Sequence, residues 1–296
     1  MCPDCRQDTH GILEAIKREL PGLSGQQQRV GLFLLDHPEV LGLISISELA
    51  ARADVSESTV IRFCRAMGYK GFLEFSRSVQ RVVEKEISHA GYFRESLDAE
   101  RAAPLQKVSR TLVETDLANL TRLSQNFPSE SVKNTVEQML RCKKISILGR
   151  MSAYPLTIYF EQLLSKITDK VEILSNSEVI QASTVAKMDA DNLVFCIAFP
   201  RYPRTIIQLA ALAKEKGAAV IGITNNELSP VARHADILFP VPVSIVSYID
   251  LMTPVMTLIN VICTEFGHAQ HALTEEHLNA YDAIVADVFF WKKNIL

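Results

Sequence analysis

The chain contains no long apolar run. No segment approaches the ~20 consecutive apolar residues that a membrane span needs. The first ten residues, MCPDCRQDTH, lack the apolar core of a secretory signal. Together these absences predict a cytoplasmic protein with no membrane partner. There is also no large excess of one charge: the formal net charge is −3 over 296 residues, which excludes a generally basic coat for nucleic acid. Cysteines number only 6 and make no metal-binding set. Cys64, Cys142, Cys196 and Cys263 stand singly in apolar segments, where buried thiols are expected. Cys2 and Cys5 form a lone Cys-x-x-Cys with His10 nearby. A structural zinc usually needs four ligands, and no second pair is spaced to complete the set. No metal and no cofactor are expected.

Apolar residues make up 48% of the chain, enough for sizeable cores, and the length allows two domains of ordinary size. Charge is unevenly spread. From Arg52 to Arg81, six basic residues (Arg52, Arg62, Arg65, Lys70, Arg77, Arg81) face three acidic ones (Asp54, Glu57, Glu74). A local basic stripe on a near-neutral protein suits a reader of particular DNA sites.

That stripe coincides with the most informative stretch, Ile46 to Phe72. Its pattern predicts a short helix from Ser47 to about Ala53 and a turn at Asp54 and Val55. Ser56 is placed to cap a second helix, which runs from Glu57 to about Met67. Val60, Phe63, Cys64 and Met67 recur at three- and four-residue spacing, so they share a buried face, and Gly68 ends the helix. Ser58, Thr59, Arg62 and Arg65 fall on the opposite face. A helix packed on its apolar side and edged with hydroxyls and guanidinium groups is what a major groove admits. An ordinary solvated amphipathic helix has the same pattern. Further helices are predicted from Gly11 to Leu20, from Gly25 to about His37, and through Phe72, Phe75, Val79 and Val82. Residues 9–86 thus read as an all-helical head.

Residues 87–127 read as a connector, Ser88 to Pro104, followed by a helix from Leu105 to Asn126. That helix has Val108, Leu112, Leu117, Leu120 and Leu123 on one side. From Ser131 the pattern changes to alternating helices and continuous apolar strands: Lys144–Gly149, Val171–Leu174, Asn192–Phe199, Ala219–Thr224 and Asp236–Phe239. Buried runs separated by helical stretches predict a doubly wound parallel sheet of five strands over residues 128–270. A helical tail, residues 271–296, follows. Such sheets bind ligands at the carboxyl ends of strands near a switch in strand order. Two loops qualify. Gly149, Arg150 and Ser152 lie after the first strand. Arg201, Tyr202, Arg204 and Thr205 lie after the third, where paired arginines beside a helix start would suit a phosphate or carboxylate.

The segments Leu23-Ser24, His37-Pro38-Glu39, Ile46-Ser47-Glu48-Leu49-Ala50, Val55 to Arg65, and Gly68-Tyr69-Lys70-Gly71-Phe72 resemble, in order and spacing, the N-terminal domain of the RpiR family of bacterial transcriptional regulators. The second half is similar to the sugar isomerase (SIS) domain, of flavodoxin-like architecture. The similarity lies in Ile147-Leu148-Gly149 with Ser152, in Ala210 to Gly217, in Val220-Ile221-Gly222-Ile223-Thr224, and in Ser229-Pro230-Val231-Ala232 with Ala235-Asp236. The resemblance implies a helix-turn-helix head, with Ser47, Ser56, Ser58, Thr59, Arg62, Arg65 and Lys70 toward double-stranded DNA. It also implies a SIS domain that binds a phosphosugar without catalysis, and a homodimer or tetramer at the bacterial nucleoid. Two positions depart from the family pattern. Met151 fills the second glycine of the first loop, and Pro-Arg-Tyr-Pro-Arg replaces a loop rich in Ser, Gly and Thr. A carboxylate effector is therefore retained beside a phosphosugar. The alternative is a sugar-phosphate isomerase with a helical appendage, whose base would be Glu178, His234 or the Glu275-Glu276-His277 cluster.

Overall fold

The computed structural model describes residues 9–37, 40–41, 44–87, 89–100, 106–174 and 177–288. Cys2, Cys5, Pro38, Glu39 and Pro104 lie outside them. The chain forms two compact units. One holds the residues up to Leu112 with Leu228–Pro230 and Ile245–Ile249, and the other holds the rest.

The N-terminal part of the first unit is helical, as expected. Its elements are α1 (Thr9–Glu19), α2 (Gly25–Asp36), α3 (Ile46–Arg52), α4 (Glu57–Ala66), α5 (Phe72–Ile87) and α6 (His89–Glu100). Ser24 starts α2, its backbone N–H donating to the Gln27 side chain at 3.0 Å. One core joins Ile12, Ile16, Val30 and Leu34 to Leu49, Val60, Phe63 and Phe75. The Phe75 ring stands edge-on to both Phe63 and Tyr69, with centroids 6.3 and 5.2 Å apart. The helix α6 corrects the expected connector. Its apolar residues Phe93 and Leu97 are exposed.

The second unit carries a parallel sheet of five strands in the order β2-β1-β3-β4-β5. The strands are β1 (Lys144–Gly149), β2 (Val171–Ile173), β3 (Asn192–Ile197), β4 (Ala219–Thr224) and β5 (Ile237–Pro240). Around them lie α7 (Gln106–Gln125), which belongs to this unit from Val113 on, α8 (Ser129–Arg141), α9 (Tyr154–Leu164), α10 (Glu178–Ala186), α11 (Arg204–Glu215), α12 (Thr253–Ala269) and α13 (His271–Val288). Strand residues alternate between two cores. Ile145, Ile147, Phe195, Ile197, Ile221 and Ile223 pack with α8, α9 and α12. Val194, Cys196 and Val220 pack with α10 and α11. Both faces are covered, which explains the unbroken apolar runs. Gly217 ends α11 with φ +90°, a conformation that favours glycine.

Three further features differ from expectation. α10 was not foreseen, and neither was a two-stranded hairpin of β6 (Ile245–Val246) and β7 (Ile249–Asp250). On α7, Leu123 is buried but Leu117 is 64% exposed, so the expected single apolar side does not hold.

No helix among the described residues is long and apolar enough to cross a membrane. Cys64, Cys142, Cys196 and Cys263 are buried free thiols. Burial pushes the thiols of Cys64, Cys196 and Cys263 up to about 12. Burial raises Cys142 as well, offset in part by the nearby Lys170 charge. Since the thiolate is the reactive form, iodoacetamide at about pH 8 should leave all four unmodified in the folded protein and alkylate them in denaturant. Peptide mass mapping checks this, and labelling of any of the four before unfolding would contradict their burial.

Candidate functional site

In the first unit, α3, a turn and α4 form the helix-turn-helix. Ser45 caps α3, its hydroxyl accepting from the Glu48 N–H at 3.2 Å. The turn places Asp54 at φ 52°, a left-handed conformation that Asp tolerates better than most residues. Arg29 holds that turn, donating to the Asp54 carboxylate at 2.8 Å and to its carbonyl at 3.1 Å. Ser56 caps α4 as expected, accepting from the Thr59 N–H at 3.3 Å. Gly68, at φ 86°, lets the chain leave α4.

The structure then places each residue of the polar edge. Ser47, Ser56, Ser58, Arg62, Arg65 and Lys70 are exposed. The Ser58 hydroxyl lies 2.8 Å from that of Ser56. The Ser47 hydroxyl lies 3.3 Å from that of Ser45. Thr59 corrects the expected face: it is 2% exposed, turned toward the core side of α4. Its hydroxyl sits 3.0 Å from Ser56 Oγ and accepts from Arg62 Nη2 at 3.0 Å. Thr59 therefore orders the cap and aims a guanidinium group instead of presenting its own hydroxyl to solvent. Arg65 Nε donates to the Lys70 carbonyl at 3.4 Å, tying the end of α4 to the loop before α5.

In the second unit, the strand order switches between β1 and β3. Gly149, the last residue of β1, is in register with Ile197, the last of β3, so the two expected loops start side by side at the carboxyl edge. A Cβ on Gly149 would lie 2.7 Å from Thr157 Cγ2 and 3.1 Å from the Ala153 carbonyl oxygen, so only glycine fits. Met151, which stands where the family pattern has glycine, adopts φ 55° and is exposed. Arg201, in the other loop, adopts φ 78°. Left-handed backbone at a residue with a side chain costs about 1–2 kcal/mol, and such strain concentrates at ligand sites. A 3-10 turn at Met151–Ala153, which contains Ser152, lies between Arg150 and α9 and was not expected.

The two arginines of the second loop have different surroundings. Arg201 donates from Nη2 to Asp250 Oδ2 at 3.1 Å, with the side chains only 13% and 10% exposed. It is thus already matched by a carboxylate, where the sequence suggested a cation open to ligand. Tyr202 donates to Asn225 Oδ1 at 2.6 Å, bracing the loop against the end of β4. Arg204 is exposed, and Thr205 half-buried, in the first turn of α11, which contains no acidic residue. A cation at a helix N-terminus stands against the dipole, and an anion there would satisfy both. Sequence reasoning missed Asp250 and Asn225. Asp250 lies 49 positions beyond Arg201, and only folding brings them together.

Of the alternative bases, His234 precedes β5 and so lies at the opposite, amino edge of the sheet. Glu275 and Glu276 are exposed on α13 and His277 is half-buried there. Glu178 opens α10 after β2. Among the described residues no group of three His, Cys, Asp or Glu side chains could hold a metal ion.

Residues 10–86 match the helix-turn-helix domain of the rpiR family, and residues 138–265 match the SIS domain. The chain belongs to the RpiR family. Relatives of this RpiR-family chain include HexR of Escherichia coli, named as an HTH-type transcriptional regulator. It is 25% identical, the match covering 90% of this chain and 91% of that protein. YbbH of Bacillus subtilis, named as an uncharacterized HTH-type transcriptional regulator, is 25% identical over 76% of this chain and 77% of its own. Among solved structures, the fold is shared with the Vibrio vulnificus NanR protein complexed with ManNAc-6P. There the TM-score is 0.56 at 16% identity, covering 94% of this chain and 98% of that one. It is shared also with the sugar isomerase domain of an RpiR transcription factor from Sphaerobacter thermophilus. There the TM-score is 0.57 at 18% identity, covering 59% of this chain and 98% of that one.

The crowding at Gly149 is testable. Gly149→Ala should destabilise the protein by about 1–3 kcal/mol through overpacking, read as a lower midpoint of chemical denaturation. An unchanged midpoint would mean that the loop has room the structure does not show.

Proposed function

We propose that this RpiR-family protein is a DNA-binding transcriptional regulator of metabolic genes, controlled by a small anionic metabolite at the carboxyl edge of the SIS sheet. The observation that carries the first half is the exposed edge of α4: Ser58, Arg62 and Arg65 on a helix whose other side is locked into a core. Ser47, Ser56 and Lys70 flank that edge. Hydroxyls and guanidinium groups so held can bond base edges and phosphates in a major groove. A full-length Arg62→Ala variant should lose roughly 1–3 kcal/mol of affinity for a duplex selected by the wild-type protein from a random pool. Its melting temperature serves as the folding control. Normal binding by the folded variant would remove α4 as the reading element.

For the effector, Arg204, Thr205, Ser152 and the backbone of Gly149 and Arg150 supply positive charge and donors, while Arg201 is held by Asp250 and shapes the loop. The NanR structure is a complex with ManNAc-6P, a phosphorylated sugar, which supports a phosphosugar over a carboxylate as the class to test first. Binding of such an anion in one arrangement of the protein shifts its equilibrium only by the difference in affinity between arrangements. Glucose 6-phosphate, N-acetylmannosamine 6-phosphate and inorganic phosphate are the probes. At least one sugar phosphate should raise the melting temperature, and Arg204→Ala should abolish that shift. A shift that survives the substitution would place the anion elsewhere.

The protein is read as a regulator and not an enzyme, acting as a homo-oligomer. Val113 and Leu117, one turn apart on α7, are both exposed and suit a partner-facing stripe. Two heads would then address half-sites roughly 34 Å apart. An isomerase reading would require turnover of sugar phosphates by the purified protein.

A further inference from the structure

We infer that Lys70, Arg77 and Arg81 form a second DNA-contacting edge, which grips the phosphate backbone beside the groove entered by α4. This rests on the DNA-binding reading above and adds an element to it. The three residues line one open cleft of about 740 Å³, together with Tyr69, Gly71 and Glu74. Arg77 and Arg81 sit four residues apart on α5, so they stack on one helix face about 6 Å apart along its axis. The cleft adjoins α4 directly, because Arg65 bonds the Lys70 carbonyl at its rim.

Three other cations of the same unit have acidic partners. Arg18 pairs with Glu19, and Arg29 with Asp54. Arg52 meets Glu48 at 3.6 Å and lies over the Phe33 ring at 5.2 Å. Arg77 and Arg81 are exposed and have no ion pair among the described residues. The acidic residue in the cleft, Glu74, is turned to the Lys70 backbone N–H, accepting its hydrogen bond at 2.5 Å. Lys70, Arg77 and Arg81 thus leave the cleft with an excess of positive charge, which complements the regularly charged backbone of a duplex. Contacts of this kind fix register and supply affinity without reading bases.

The test uses the full-length protein with Arg77→Gln and Arg81→Gln combined, two duplexes, and a series of salt concentrations. One duplex is selected by the wild type from a random pool, and the other is an unrelated sequence of equal length. Both should bind the double variant more weakly by the same factor. The slope of log affinity against log salt should flatten by roughly 1.8, the value for two lost phosphate contacts. A folded double variant with wild-type affinity and slope would overturn the inference, and so would weakening confined to the selected duplex. A wild type that binds neither duplex would overturn the DNA reading itself, a result distinct from both.

Discussion

The polar edge of α4 depends on its opposite side. Val60, Phe63 and Cys64 sink into the core that α1, α2, α3 and α5 share, and Phe63 meets Phe75 edge to face. That packing sets the rotation of α4 about its own axis. Once it is set, Ser58, Arg62 and Arg65 have no choice but to face out. The caps at both ends do the rest: Ser56 fixes where the helix starts and Gly68 where the chain turns toward α5. A recognition surface needs this kind of support, since a side chain that must first be ordered gives up affinity to entropy.

The sheet of the second unit applies the same logic with different parts. Parallel pairing in full register brings the ends of β1 and β3 level, so two loops far apart in sequence open at one place. Both loops hold a side-chain-bearing residue in left-handed backbone, Met151 and Arg201. The surrounding fold tolerates the cost because both loops are anchored on each side, by the close approach at Gly149 and by the contacts of Arg201 with Asp250 and Tyr202 with Asn225. A nearly buried ion pair is weak evidence of stability, but removing one partner strands the other's charge. Asp250 thus holds Arg201 in an ion pair, while Arg204 is exposed.

Much of this was legible in the residues. Strand positions emerged because a sheet covered on both faces needs continuous apolar runs, and the ends of β1 and β4 fell on the expected residues. The helix-turn-helix emerged from a spacing of three and four, a serine cap and a closing glycine. α6 and α10 did not emerge; on α6 the apolar residues Phe93 and Leu97 face solvent. Leu117 misled as well: it is apolar and well spaced, yet exposed.

By itself, the sequence determined most of the helices and the five strands of the sheet, that a helical head precedes a parallel sheet, and which two loops crown the switch point. Those properties follow from local periodicity and capping, which neighbouring residues control. Only the tertiary structure decided that Thr59 turns inward to aim Arg62, that Arg201 is neutralised, and that Lys70, Arg77 and Arg81 share one cleft. Each of these depends on how elements rotate and pack against one another. Spacing along a single element narrows those contacts without choosing among them.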